Sequence, residues 1–283
     1  MKPNRVLTIA GSDSGGGAGI QADLKTITVL GGFGMSVVTA LTAQNTLGVQ
    51  GIYEVPAAFV AEQFDAIAGD IGIDAAKTGM LATSDVIATV AEKLRQYKVR
   101  RLVVDPVLVA KGGSSLIREE AKATLIADLI PLALVVTPNV PEAEVLSGIR
   151  IANMSDMEEA ARIIHRLGAK NVIVKGGHLA GDKAEDLLYD GAEFSVFSSV
   201  RFPTGDTHGT GCTFSAAIAT ALARGADVQT AIAEAKRYIT EAIRRAWRIG
   251  GGHGPTNHLA PLFAAGDAKM PEAWKSQWEE VGQ

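Results

Sequence analysis

The densest run of reactive residue types in this chain is Pro203-Thr-Gly-Asp-Thr207-His208-Gly209-Thr210-Gly211-Cys212-Thr213. A polar, glycine-rich stretch ends there, and an apolar, alanine-rich segment opens at Phe214. Glycines let bare backbone come close to a ligand. The first turn of the helix that must follow offers N–H groups without intrahelical partners, at the positive end of a dipole. Together they describe an anion site. Cys212, the one cysteine in the chain, stands at the junction. Its place predicts a lowered thiol pKa and a group able to take a proton from a substrate. A lone cysteine at a helix start is ordinarily core. The His208-Gly-Thr-Gly211 approach and a second glycine loop near the N-terminus favour the chemical reading.

That second loop, Gly11-Ser-Asp-Ser-Gly-Gly-Gly-Ala-Gly19, follows the apolar run Val6–Ala10. It lacks Gly-Lys-Ser/Thr and is not a P-loop. Gly15-x-Gly17 reaches Ile20 without a third glycine, so the dinucleotide fingerprint fails as well. It reads as a close-contact loop beside a substrate. Asp23 lies one turn into the next helix, either near the substrate or as a partner of the helix dipole. Thr78-Gly79-Met80, Asp105-Pro106, Thr137-Pro138-Asn139 and Lys175-Gly176-Gly177 each close another strand-like run. Each alone is a turn. Ligands bind at the carboxyl ends of strands in open α/β sheets, so five such ends together point to one cleft.

The elements that must position these ends follow from periodicity. Strands are expected at Val6–Ala10, Met35–Ala40, Ala75–Lys77, Arg101–Asp105, Leu134–Thr137 and Asn171–Lys175. A hairpin is expected from Leu187–Tyr189 and Glu193–Phe197 around Asp190-Gly191. Helical spacing marks Ile20–Leu30, the segment after Pro56, one from about Ser84, Glu142–Leu146, and Met157 to Leu167. A helix after Cys212 is apolar nearly all round and must be buried. Another from Val228 to Trp247 carries Ala231, Ile232, Ala235, Ile239, Ala242 and Ile243 as a stripe. The alternation of β and α predicts an α/β fold with a mostly parallel central sheet and helices on both faces. No repeat or linker interrupts it.

Composition agrees. The 283 residues are 47% hydrophobic and 5% aromatic, an aliphatic make-up suited to a doubly wound sheet. A net charge of −4 gives no electrostatic case for nucleic acid. One cysteine excludes an intramolecular disulfide or a cysteine-rich metal site and fits a reducing cytoplasm. The opening Met1-Lys-Pro-Asn-Arg5 lacks the apolar run of a signal peptide. No apolar run reaches membrane-spanning length.

Seven motifs carry a resemblance: Ile9-Ala-Gly-Ser-Asp-Ser-Gly-Gly-Gly-Ala-Gly-Ile-Gln-Ala-Asp-Leu-Lys25, Thr39-Ala-Leu-Thr-Ala-Gln-Asn45, Lys77-Thr-Gly-Met80, Val104-Asp-Pro-Val107, Thr137-Pro-Asn-x-x-Glu142, Lys175-Gly-Gly-His178 and His208-Gly-Thr-Gly-Cys-Thr213. In order, they resemble the hydroxymethylpyrimidine and phosphomethylpyrimidine kinases of thiamine biosynthesis, in the ribokinase-like superfamily. The resemblance implies a kinase domain over residues 1–258 with a tail over 259–283. It implies ATP and Mg²⁺, and phosphorylation of 4-amino-5-hydroxymethyl-2-methylpyrimidine first to the monophosphate and then to the diphosphate. Gln44 would bond the aminopyrimidine edge with both functions of its amide. Met80 and Val107 would pack on the ring, with Gly11 and Asp23 near it. Thr207, Gly209, Thr210 and Gly211 would cradle ATP phosphates, and Lys175 would contact them. Asn139 and Glu142 would organise Mg²⁺, largely through water, and Asp105 would be a further candidate near metal or phosphate. Cys212 would be the base or a positioning group. His178 and His208 would make polar contacts or be plain loop histidines. Loops at Gly15 and at Lys111-Gly112-Gly113 would close over the site. A cytoplasmic homodimer joined in part through Gly34–Tyr53 is also implied. Two other functions stand beside this one: a pyridoxine or pyridoxal kinase, and a catalytically silent pyrimidine-binding protein.

Overall fold

The computed structural model describes residues 3–108, 119–179 and 181–264. Lys111-Gly112-Gly113 and the tail beyond residue 264 lie outside the described residues. Among the described residues nine strands form one sheet: β1 (Arg5–Asp13), β2 (Phe33–Asn45), β3 (Gly48–Glu54), β4 (Ala75–Thr78), β5 (Leu102–Val104), β6 (Val135–Val136), β7 (Val172–Lys175), β8 (Lys183–Tyr189) and β9 (Phe194–Val200). Their order is β3-β2-β1-β4-β5-β6-β7-β8-β9. The six from β2 to β7 run parallel. β3 pairs antiparallel with β2, and the β8–β9 hairpin adds antiparallel strands at the other edge. The sheet is thus mostly parallel, as expected.

One departure concerns β2, which continues five residues past Ala40 and returns as β3. Every residue of β3 is exposed. A strand with no buried face leaves no apolar alternation to read.

Successive residues of a strand face opposite sides. Leu7, Ile9, Leu102 and Val104 therefore enter one core layer, while Val6 and Val103 enter the other. The first layer lies under α2 (Ala57–Asp70), α3 (Ser84–Gln96), α4 (Glu119–Thr124), α5 (Val140–Ser147) and α6 (Met154–Arg166). The second lies under α1 (Gly19–Val29), α7 (Thr210–Ala223) and α8 (Val228–Arg244). Eleven consecutive residues of α7, Thr213 to Ala223, are buried. Its alanines let the sheet, α1 and α8 close on it from all sides. Side chains cap several of the other starts: Thr83 accepts from Val86 N at 3.3 Å, Asn153 from Asp156 N at 3.1 Å and Asp227 from Thr230 N at 2.8 Å. A short α9 (Ala260–Ala264) follows, with Ala260 in the α7–α8 layer. Among the described residues no helix is long and apolar enough to cross a membrane.

Candidate active site

The parallel strands end on one edge, and there the loops enclose a cavity of about 1600 Å³. Gly11, Gln44, Met80, Asp105, Val107, Asn139, Glu142, Lys175, Thr207, Gly209, Thr210, Gly211 and Cys212 all line it. Asp23 is the one predicted site residue that does not.

At the centre stands the start of α7. Its N-cap, Gly209, has φ 79°, and it makes no side-chain cap bond among the described residues. A Cβ there would be strained by that φ and would collide with the Gly17 carbonyl oxygen. Glycine is therefore required twice over, by conformation and by close approach. The Thr210 hydroxyl donates to the Thr207 carbonyl at 2.7 Å. Beside this turn, Lys175 Nζ meets Asp105 Oδ1 at 3.0 Å, and Thr137 Oγ1 donates to the same oxygen at 3.0 Å. A Cβ on Gly211 would lie 3.3 Å from Lys175 Nζ and 3.4 Å from Asp105 Oδ2. The ion pair thus abuts the helix start. Burial works against both charges, but each partner outweighs it. Lys175 is held above the ordinary lysine value by Asp105 and Glu142, and Asp105 below the ordinary carboxylate value by Lys175 and Lys77. The positive end of the helix and the lysine form a pole suited to phosphate oxygens.

A second helix start on this wall is arranged differently. Asn139 Oδ1 accepts from Glu142 N at 2.9 Å and Glu142 Oε2 accepts from Asn139 N at 2.8 Å, a capping box on α5. The Leu108 N–H also donates to the Glu142 carboxylate. Burial, opposed by Lys175 and reinforced by Asp105, pushes Glu142 up to about 7. Among the described residues no group of three or more His, Cys, Asp or Glu is gathered as for an ion. Asp105, Asn139 and Glu142 all line the cavity and carry oxygen atoms of the kind that suits Mg²⁺.

The expectation of a lowered thiol pKa fails at Cys212. Its thiol is not lowered: burial pushes it up to about 11, Lys77 pulls the other way, and Asp23 and Asp105 reinforce the rise. The Gly19 N–H donates to it, so the starts of α1 and α7 both converge on the sulfur, and still burial wins. Asp23 is the other correction. It is fully buried, with Lys77 Nζ at 3.1 Å from each carboxylate oxygen and Thr8 Oγ1 at 2.6 Å. It serves as counter-ion to Lys77 behind the cavity wall.

At the far end, Gly11 and Met80 are fitted to each other, since a Cβ on Gly11 would come 2.6 Å from Met80 Cε. Gln44 sits on β2 rather than in a loop. Its Oε1 accepts from Thr42 Oγ1 at 3.1 Å, and its Nε2 lies 3.3 Å from His208 Nε2. Asp13 and His208 are organisers that sequence reasoning left in the background. Asp13 accepts from the N–H groups of Gly15, Gly17 and Ala18 at 2.8, 3.1 and 2.8 Å and contacts His208 Nε2 at 2.9 Å. Burial raises its carboxyl, but the bonds from His208, Gly15 and Ala18 outweigh that and hold it below the ordinary value. The signal was an Asp two residues before a glycine run, the usual start of an Asx turn. Lys236 and Asp186, paired at 2.8 Å on the opposite wall, were not expected. Two residues from distant segments left no local pattern.

The model of the phosphomethylpyrimidine kinase family matches residues 13–257. The thiamine biosynthesis bifunctional protein ThiED of Geobacter sulfurreducens is 59% identical over 90% of this chain, which spans about half of that protein (52%). The hydroxymethylpyrimidine/phosphomethylpyrimidine kinase of Bacillus subtilis is 50% identical over 92% of this chain and 96% of its own length. Among solved structures, an ADP complex of Bacillus subtilis pyridoxal kinase superposes with a TM-score of 0.87 at 43% identity, covering 92% of this chain and 99% of that one.

Proposed function

The chain belongs to the phosphomethylpyrimidine kinase family, and from that membership we propose that it uses ATP to phosphorylate 4-amino-5-hydroxymethyl-2-methylpyrimidine, first to its monophosphate and then to the diphosphate. One observation carries the reading. A single cavity joins an uncapped, glycine-led helix start beside a paired lysine to a wall holding Gln44, Met80 and Val107.

Phosphoryl transfer asks for positioning and charge stabilisation more than for covalent help. The backbone around Gly209, Thr210, Gly211 and Cys212, with Thr207 beside it, cradles the transferring phosphate, and Lys175 neutralises it. Asn139, Glu142 and Asp105 would hold Mg²⁺ largely through water, and the ion would supply charge neutralisation to the phosphates. Gln44 bonds the aminopyrimidine edge, and Met80 and Val107 pack on the ring face. Gly11 leaves room for that packing. The substrate oxygen bonds to phosphorus as the bond from phosphorus to the bridging oxygen of ADP breaks, and in the first step the hydroxyl proton passes to an oxygen of the transferred phosphate.

Cys212, with its thiol pushed up to about 11, is protonated at neutral pH. It therefore positions the acceptor hydroxyl instead of serving as a ready base, which a loose transition state tolerates. The sign is testable. If the thiolate were the base, kcat/KM would rise about tenfold per pH unit from 7 to 10. A positioning thiol leaves that range flat, and Cys212→Ser keeps most of the rate.

Pyridoxal kinase is the second reading, supported by the 43% identity to an ADP-bound pyridoxal kinase. Both acceptors are planar heteroaromatic alcohols. The curated relatives at 50 and 59% identity favour the pyrimidine. Incubation with MgATP and either compound, followed by mass spectrometry, decides. Mono- and diphosphorylated pyrimidine support the proposal; pyridoxal phosphate alone overturns it, and no product from either revives a silent binding protein. A cytoplasmic homodimer belongs to the same proposal. Leu41, Leu47, Val49, Ile52 and Tyr53 are exposed on the β2–β3 ribbon, an apolar surface suited to a second copy.

A further inference from the structure

A second pocket, of about 420 Å³, lies at the opposite edge of the sheet. Its walls come from the end of α3 and from the turns that lead into β5, β6 and β7: Leu94, Arg95, Lys98, Val99, Arg100, Pro131, Leu132 and Lys170. The catalytic cavity is at the carboxyl ends of the strands and this pocket at their amino ends, so the two share no residue.

Four cations line it in a chain whose net charge is −4. Arg95 is engaged, donating to the Asp128 carbonyl at 2.8 Å with the Asp128 carboxylate at 3.8 Å. Lys98, Arg100 and Lys170 make no ion pair among the described residues. Three exposed cations round one hollow give it a positive potential that favours an anion.

The backbone supplies an independent sign. Helices α1, α2, α5, α6 and α7 all end in a glycine of positive φ: Gly31, Gly72, Gly148, Gly168 and Gly225. That left-handed position suits glycine and strains other residues. α3 ends instead on Lys98, at φ 52°, closed by bonds from Lys98 N to Arg95 O at 3.1 Å and from Val99 N to Leu94 O at 3.0 Å. A strained lysine where the fold elsewhere uses glycine points to a use for its side chain. Leu94, Val99, Pro131 and Leu132 give the hollow an apolar side, and its volume falls in the range of small-ligand sites.

We propose that this pocket is a second binding site, for a small phosphorylated ligand with an apolar body. The cations take the phosphate group and the aliphatic wall takes the body.

The test uses the full chain and phenyl phosphate, the simplest probe with both parts, followed by amide NMR shifts. Saturable shifts at Val99, Leu132 and Lys170 are expected, with inorganic phosphate binding more weakly. Lys98→Gly keeps the left-handed turn and removes the charge, and the triple variant Lys98→Gly/Arg100→Met/Lys170→Met should weaken binding at least tenfold with the fold intact. Absence of saturable shifts, or equal binding by the triple variant, overturns the proposal. Saturation by polyglutamate but not by phenyl phosphate overturns the ligand class.

Discussion

Two helix starts face the same cavity, and the protein treats them in opposite ways. At α5 it satisfies the donors itself, with Asn139 and Glu142 bonding each other's backbone at 2.9 and 2.8 Å. At α7 it places Gly209, which has no side chain to offer. A helix leaves N–H groups that something must satisfy. Where the chain supplies the partner, the backbone donors of the start are already taken. Where it offers no side chain, the Thr210 N–H is left to the Thr207 carbonyl at 3.4 Å, an arrangement that suits the start to the proposed anion site. α1 follows the first pattern by another route, since the Asp13 carboxylate takes the N–H groups of Gly17 and Ala18 ahead of it.

The sharpest way to break this contrast is Gly209→Ala. A non-glycine residue at φ 79° costs about 1–2 kcal/mol, and the new Cβ drives against the Gly17 carbonyl. The helix start would move off the phosphate, and kcat/KM should fall about 10³-fold, the scale for losing an oxyanion-type donor. Retention of wild-type kinetics would show that the open start is not the anion site.

Next in size is Lys175→Met. Loss of phosphate neutralisation should lower kcat by about 10²-fold. It also strands Asp105, which is 3% exposed, at a cost of about 3–5 kcal/mol for a broken buried pair. Those effects separate in Lys175→Met/Asp105→Asn, which should regain stability in a thermal melt while staying slow. If the double variant regains the rate as well, Lys175 acts only as a structural counter-ion.

How much of this was legible depended on which neighbours decided the outcome. The strand ends could be read because an apolar run giving way to Gly, Asp or Lys is a local pattern, and a parallel sheet puts all such ends on one edge. α7 was legible for the same reason. The Cys212 thiol was misjudged because its sequence neighbours report a helix start worth about 0.3–1 kcal/mol. Moving a thiol from 9.0 to about 11 amounts to about 3 kcal/mol, and that burial comes from segments far along the chain. Asp23 was misplaced likewise, because its partner Lys77 is 54 residues away. A lysine inside the short, otherwise apolar run Ala75-Ala-Lys-Thr78 was the available clue that a buried acid had to meet it.

The finest test sets the groups on either side of α7 against each other. Glu142, in front, has its carboxyl pushed up to about 7 from an ordinary 4.5. The folded state therefore binds that proton more tightly than the unfolded chain, and the stability it contributes falls as pH rises from 4.5 to 7. His258, behind, lies 3.0 Å from Thr213 Oγ1 in the first turns of α7, and burial brings it down to about 4 from 6.5. Its contribution runs the other way: it is present above 6.5 and is lost as pH falls towards 4. Between pH 4.5 and 6.5 the two slopes oppose, so these two sites leave little net slope in the wild type. Glu142→Gln keeps an acceptor for the α5 cap but no longer titrates. Its melting temperature should climb from pH 4.5 to 6.5 more steeply than that of the wild type, exposing the histidine term. Parallel melting curves for the two proteins across that range would mean that Glu142 is ionised in the folded state, and that the α5 start is a second charged wall of the phosphate site instead of a sealed cap.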